Sequence, residues 1–441
     1  MAGVVAAAIA VEQVVATGIE AAAAVAIAAP TQPLKVSLSQ LVLQPEGTPA
    51  ADLARSNHTL TIIGDKAYIF GGEDADGKLC NSNLQALALP PAKTHTDPGT
   101  SNQALHETFP PFPTQDATTG ETLVPAPRKD HAAASRKDTL LIHGGRDASG
   151  QPIDEGNCIW ACDINALRWS KLPGSTQLFT TMSPRFGHSI FVDEKQDFLV
   201  LIGGKGPGCL DTETEVWFYD FNAQAWTTLP KAPHAPIMAA AYRNETLYII
   251  TPDGDNPTNL SGAVHYLYLH TSPVEREKPN AMKWETVTFP TSPIAPGPKP
   301  REGAALVPIT SGYGREYLVY MFGCSPSSDD KEKEFFSDIW TLQLPSARNT
   351  GAKAKDKIRE KLPGMESGEF SWSEAELIAT EQLAVTEGKV HPGPRGLFGA
   401  DSDGQGKTAV FWGGVNPKGE KEGDGWVLRL AAGYADYDRK E

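Results

Sequence analysis

Cysteine is scarce in this chain: five in 441 residues. They are Cys80, Cys158, Cys162, Cys209 and Cys324, an odd number with no C-x-x-C pair. That excludes a disulfide framework, a thioredoxin-like motif and a zinc-finger spacing. Cys158 and Cys162 read as small core residues, and such usage points to a reducing compartment, the cytoplasm. Positive charge is also in deficit, with 39 Lys and Arg against 54 Asp and Glu and a net charge of −15. A surface of that sign repels phosphate, so general nucleic-acid binding is excluded and anionic membranes are disfavoured. Neither a G-x-S-x-G elbow nor a phosphate-binding loop occurs. No catalytic residue, no metal and no cofactor are therefore expected.

Long apolar runs are lacking beyond residue 30. Residues 1–29 are rich in Ala and Val, with Glu12 and Glu20 as their charged side chains. They carry no basic stretch of the kind that opens a secretory signal, and no Arg or Ser of the kind that marks a transit peptide. Val4, Ala8, Val11, Val15 and Ile19 fall at helical spacing and predict an Ala-rich helix over residues 1–30. A mobile tail and a membrane contact of residues 1–29 remain as alternatives.

What the chain has is a repeat. A short apolar strand runs into Gly-Gly, a second strand with a large aromatic follows, then Pro, and often Pro-Arg before the next copy. The diglycine strands are Lys66–Gly72, Thr139–Gly145, Asp197–Gly204 and Lys407–Gly414. Glu316–Gly323 keeps one glycine, and Thr246–Ile250 runs into Thr251-Pro252 instead. Six copies, each of up to four short strands, predict an all-β array in one body spanning residues 34–430, with residues 431–441 as a tail. Glycine suits a strand end where φ is positive and a neighbouring sheet lies close. Trp160, Trp217, Tyr266, Trp340 and Trp426 read as equivalent wedges between sheets. The sixth copy lacks a fourth strand, whereas Leu34–Leu43 is a spare strand before the first, with Val36, Leu38 and Leu41 inward and Lys35 and Ser39 outward. Pairing the two would close the ring.

The diglycines, the stretch Thr214–Pro230 and the runs Pro127–His131 and Pro184–His188 resemble the kelch family, in its intracellular form rather than that of the secreted galactose oxidases. The resemblance implies a six-bladed β-propeller closed by its N-terminal strand, and a scaffold that binds partners through loops.

Two candidate sites stand out. Arg55, Arg128, Arg185, Arg301 and Arg395 each precede the first strand of a copy, so a ring brings them near one mouth. They read either as braces between blades or as a clamp for an anionic ligand, with Arg55 and Arg395 the expected exposed members. In kelch domains that bind acidic peptides, arginines on one face make the contacts, which supports the clamp. The run Ala352–Leu362 predicts an exposed basic helix in which Lys353, Lys357, Arg359 and Lys361 could dock an acidic protein or peptide. Residues 90–126 read as an irregular loop, and residues 270–300 as a Pro-rich loop around the strand that holds Trp284. His58, His131 and His188 recur at one repeat position and read as structural. The leading function is a non-catalytic kelch scaffold; the alternative is an enzyme acting on a small metabolite at the channel mouth.

Overall fold

The computed structural model describes residues 31–44, 53–90, 103–252, 261–269 and 282–430. Within these, 113, 116–119, 121, 177–181, 208–211, 235, 293–294, 313, 327–332, 347–349, 362–366, 379–388, 390 and 405 are not described. The Ala-rich segment 1–30 and the tail 431–441 lie outside the described residues, as does Cys209.

Six antiparallel sheets stand around an axis. Each starts with an inner strand, and these are Thr59–Ile63, Ala132–Arg136, Ser189–Asp193, Ala239–Arg243, Ala305–Thr310 and Gly399–Ser402, in blades 1 to 6. Each inner strand contacts those of both adjacent blades, including the sixth against the first, so the ring is closed. Second strands are buried along almost their whole length: Phe198–Ile202 and Glu316–Met321 contain no exposed residue. Continuous apolar runs such as FLVLI suit this place, with a neighbouring blade on each face.

Closure follows the expected pairing. Lys35–Gln40 lies antiparallel to Gly425–Leu430, with Val36 opposite Leu430 and Leu38 opposite Leu428. Leu34, Val36 and Leu38 pack with Val319, Phe411 and Trp426 in one core between blades 5 and 6. The spare strand does more than fill one gap. After Leu41 it crosses to blade 1, where Val42–Gln44 runs parallel to Gln103–Phe109. On its other side Lys35 and Val36 pair with Glu376 and Leu377, which follow blade 5. Ser39, expected outward, is buried, because the alternation slips by one residue where the chain changes blades.

Two other expectations are corrected. Residues 90–126 are not wholly irregular: Gln103–Phe109 is the outer strand of blade 1. In blade 4, Ala239 pairs with Ile250 and Ile249 with His265, so register places His265, not Tyr266, at the position of Trp217. Thr251 then occupies the place of the first glycine, and its hydroxyl meets His265 Nε2 at 2.9 Å.

The diglycines are required by contact. Gly144 and Gly145 have φ of +59° and +101°. A Cβ on Gly144 would stand 2.4 Å from the Arg185 carbonyl oxygen and 2.7 Å from Cε1 of His188, both in the next blade.

Because the N-terminal strand joins three blades, a chain beginning at residue 31 is expected to melt like the full protein. One beginning at residue 45 should lose cooperative unfolding and aggregate, since it exposes two edges and the core around Trp426. Thermal melts monitored by near-UV circular dichroism decide this, and equal melting of the two truncations would overturn the closure argument.

Candidate functional site: the channel, the repeat arginines and a basic helix

The inner strands enclose a channel of about 400 Å³. Its wall is mostly small: Ala132, Ala133, Ala134, Ala239, Ala240, Ala304, Ala305 and Ala400 leave the axis open. Polar groups gather where inner strands end. The Tyr242 hydroxyl donates to Asp193 at 2.7 Å, tying blades 3 and 4. Asp401 accepts the backbone N–H of Ile62 at 2.8 Å, tying blades 6 and 1, and also that of Ser402. Surrounded by protein, the Asp401 carboxyl is pushed up to about 6 by burial, against the pull of those two donors. Neither Asp401 nor Tyr242 was singled out from the sequence. Their significance comes from partners hundreds or tens of residues away on adjoining blades, for which one chain carries no local signal.

The three recurring histidines serve the blade junctions. The His131 ring meets Phe70 of blade 1 edge-on at 5.5 Å, and its Nε2 is 2.8 Å from the Thr59 hydroxyl. Nε2 of His188 is 3.0 Å from Nδ1 of His143 in blade 2. Burial, with the nearby arginines, brings His131 and His143 down to about 3.

The repeat arginines come round the ring as expected, and their guanidinium groups turn into their own blades. All five are buried, and the expectation that Arg55 and Arg395 are exposed is corrected: they are 4% and 0% accessible. Each donates through Nη1 to the carbonyl that ends its own second strand: Gly71, Gly144, Gly203, Phe322 and Gly413. Four then take up an acid near the head of the third strand. Arg128 pairs with Glu155 at 2.8 Å, Arg185 with Glu215 at 2.7 Å, Arg301 with Asp338 at 2.5 Å and Arg395 with Asp424 at 2.7 Å. In three blades the same acid also accepts a tryptophan indole N–H, from Trp160, Trp217 and Trp340. A planar fork that serves a carbonyl and a carboxylate together is geometry lysine cannot supply. This is the arrangement of a brace.

The basic helix is Gly351–Arg359, capped by the Thr350 hydroxyl on Lys353 N at 3.1 Å. One face is fastened to blade 5: Ala352, Asp356 and Arg359 are buried. Asp356 pairs with Arg315 and takes the hydroxyls of Ser346 and Ser367. Burial raises that carboxyl, but these donors outweigh it and hold it below the usual range. Arg359, expected in the docking face, points inward, because at three to four residue spacing it shares the stripe of Ala352 and Asp356. Lys357 and Lys361 are exposed, Lys353 is half-buried, and Ile358 is 45% accessible. Among the described residues no His/Cys/Asp/Glu cluster has metal-holding geometry, and no helix is long and apolar enough to cross a membrane.

With this geometry in view, comparisons define the class. Residues 43–250 match the family model described as the KLHDC2/KLHL20/DRC7 Kelch-repeats domain. The chain is a six-bladed β-propeller with kelch repeats. Among curated proteins it is similar to Acyl-CoA-binding domain-containing proteins 4 and 5 of Arabidopsis thaliana, each 24% identical over 188 residues, or 42% of this chain. The match spans only 24% and 25% of those two proteins. The solved structure of YjhT superposes with a TM-score of 0.51 at 14% identity, covering 87% of this chain and 97% of that one, a likeness of fold.

Two outcomes test the brace and the buried histidines. Arg185→Ala is expected to cost about 2–3 kcal/mol in urea titration, because it strands Glu215 and the Gly203 carbonyl. Arg185→Lys should recover less than half of that loss. The histidines fix a pH window. The unfolded chain takes up protons near the ordinary histidine value of about 6.5, whereas folded His131 and His143 refuse them until about 3. Their contribution is full above 6.5 and falls as pH drops below it. The urea midpoint should thus decline from pH 6.5 to 4, less steeply in His131→Gln; parallel curves would contradict the assignment.

Proposed function

We propose that this propeller is a non-catalytic scaffold that binds an acidic protein or peptide segment, with the helix Gly351–Arg359 as its docking element. One observation carries the reading. A protein of net charge −15 holds a basic helix firmly in place while leaving Lys357 and the following Lys361 exposed. The buried Arg315–Asp356 pair and the Thr350 cap fix the helix before any partner arrives, which lowers the ordering cost of binding. Lys353, Lys357 and Lys361 supply the charge that steers an acidic partner, and exposed Ile358 supplies an apolar anchor beside it. Its sparse cysteines, none forming a C-x-x-C pair, support a cytoplasmic setting for such a scaffold. The acyl-CoA binding in the names of the two plant relatives is not part of the proposal, because the shared stretch is only a quarter of each.

A second reading, an enzyme acting on a small metabolite in the channel, draws on Asp401, whose raised carboxyl would suit a general acid. It is weaker because both Asp401 oxygens already accept backbone N–H groups and the neighbouring histidines are spent on blade junctions.

The docking reading is tested with an immobilised protein and an Asp/Glu-rich peptide carrying one aromatic residue. Lys353→Glu/Lys357→Glu/Lys361→Glu should weaken binding at least about 30-fold at 50 mM salt, with wild-type affinity falling as salt rises. Ile358→Ser should weaken it about fivefold without altering the salt slope. Unchanged affinity in the triple variant, with an unchanged melting temperature, would remove the helix from the function.

A further inference from the structure

Blade 1 breaks the rule that the other blades set for the repeat arginine. In blades 3, 5 and 6 the acid partner sits one residue before the third strand, as Glu215, Asp338 and Asp424. Blade 2 has Cys158 at that place and recovers the acid three residues earlier, from Glu155. Blade 1 has neither. Ile69 pairs with Gln85, so the register brings Asn83 opposite Gly71, where an acid stands in the other blades. Three residues earlier, where blade 2 has Glu155, stands Cys80. The tryptophan is missing too, since Gln85 holds its place and accepts from the Thr108 hydroxyl at 2.6 Å.

Blade 4 shows what happens when the whole unit is dropped. The acid position is Ala263, the tryptophan is His265, the diglycine is Thr251-Pro252, and no arginine precedes the first strand. Acid and arginine are lost together there. Blade 1 keeps the arginine without an acid at either place, so among the described residues a buried guanidinium remains without a carboxylate.

The side chain is in place for such a ligand. Arg55 is 4% accessible, and its Nη1 reaches the Gly71 carbonyl at 3.3 Å. Among the described residues its buried Nε has no hydrogen-bond partner, as is also so of Arg395. The edge that marks the missing acid is the Nη edge, which meets the acid in blades 2, 3, 5 and 6. The neighbouring acids are engaged elsewhere: Glu73 holds Lys129 and Lys421, and Asp74 accepts the backbone N–H groups of Asp76 and Lys78. Cys80 is a neutral thiol, its ionisation pushed up by burial against the pull of Arg55. An unpaired buried cation costs several kcal/mol in other proteins, and a carboxylate presented to its free edge recovers that cost.

We propose that Arg55 forms a carboxylate-binding site in blade 1, the ligand taking the place that Asp424 and Glu215 hold in blades 6 and 3. The chemistry is that of a small, planar monoanion able to accept two N–H groups. It is distinct from the basic helix on blade 5.

The test supplies the missing acid from the chain itself. Asn83→Asp should raise the melting temperature in sodium chloride by about 2 °C or more. Sodium acetate at equal ionic strength should raise the wild-type melting temperature by a similar amount, through binding to the folded state. Acetate should have no specific effect on Asn83→Asp or on Arg55→Gln. Two further arms identify the source of the natural carboxylate. If Glu46→Gln or Asp52→Asn lowers stability and creates an acetate response larger than that of wild type, the ligand comes from the chain itself, and a site for an outside carboxylate is overturned. The proposal is likewise overturned if acetate acts on wild type and Asn83→Asp alike, or acts on neither. Arg55→Gln removes the guanidinium itself, whereas Asn83→Asp leaves Arg55 in place, so the acetate response of Asn83→Asp against that of wild type decides.

Discussion

Adjacent blades of this ring touch backbone to backbone, and much else in the structure follows from that closeness. The second glycine of one blade donates its N–H to the carbonyl of the repeat arginine in the next: Gly72 to Arg128, Gly145 to Arg185, Gly323 to Arg395 and Gly414 to Arg55, at 2.7–2.9 Å. In blades 1, 2 and 6 a side chain at the first glycine would collide with that same arginine carbonyl and with the histidine beyond it. The arginine therefore works twice. Its carbonyl joins it to the previous blade, and its guanidinium ties the second and third strands of its own blade through a carbonyl and an acid. This links Gly, Arg, acid and Trp, all four of which are absent from blade 4, whereas blade 1 keeps only the glycines and the arginine.

Closure uses a different principle. The repeat motif does reach across the closing junction, where Gly414 meets Arg55, but the sixth copy has no fourth strand of its own. The N-terminal segment supplies what the motif cannot: hydrogen bonds to Gly425–Leu430, apolar contacts to Phe411 and Trp426, and an extension along Gln103–Phe109 of blade 1. It makes blades 5, 6 and 1 one cooperative body, in which the gain from burying two edges outweighs the cost of ordering a short segment.

With the repeated ionisable groups used for bracing, features that could distinguish this protein lie where the repeat is interrupted. The helix Gly351–Arg359 is an insertion held by a buried ion pair that no other blade has. Arg55 is a brace that has no acid among the described residues. Asp401 and Tyr242 add cross-blade ties at the channel. Each departs from the pattern in a place where the regular motif would have given a fully paired, inert surface.

The sequence by itself determined the architecture. Diglycines at regular intervals, apolar strand runs and a spare N-terminal strand state blade number and closure, because these features reflect local backbone geometry and a periodicity visible along one chain. The basic helix was legible for the same reason, from the run of helix formers Ala352–Leu362. What only the tertiary structure decided was direction and pairing. Arg395 and Arg55 are buried rather than exposed, Arg359 faces inward, and His265 rather than Tyr266 fills the wedge position. Whether an arginine has an acid depends on register between strands that lie tens of residues apart, as with Arg55 and Asn83. A side chain's partner is set by distances across the ring, and those distances exist only once the blades have closed.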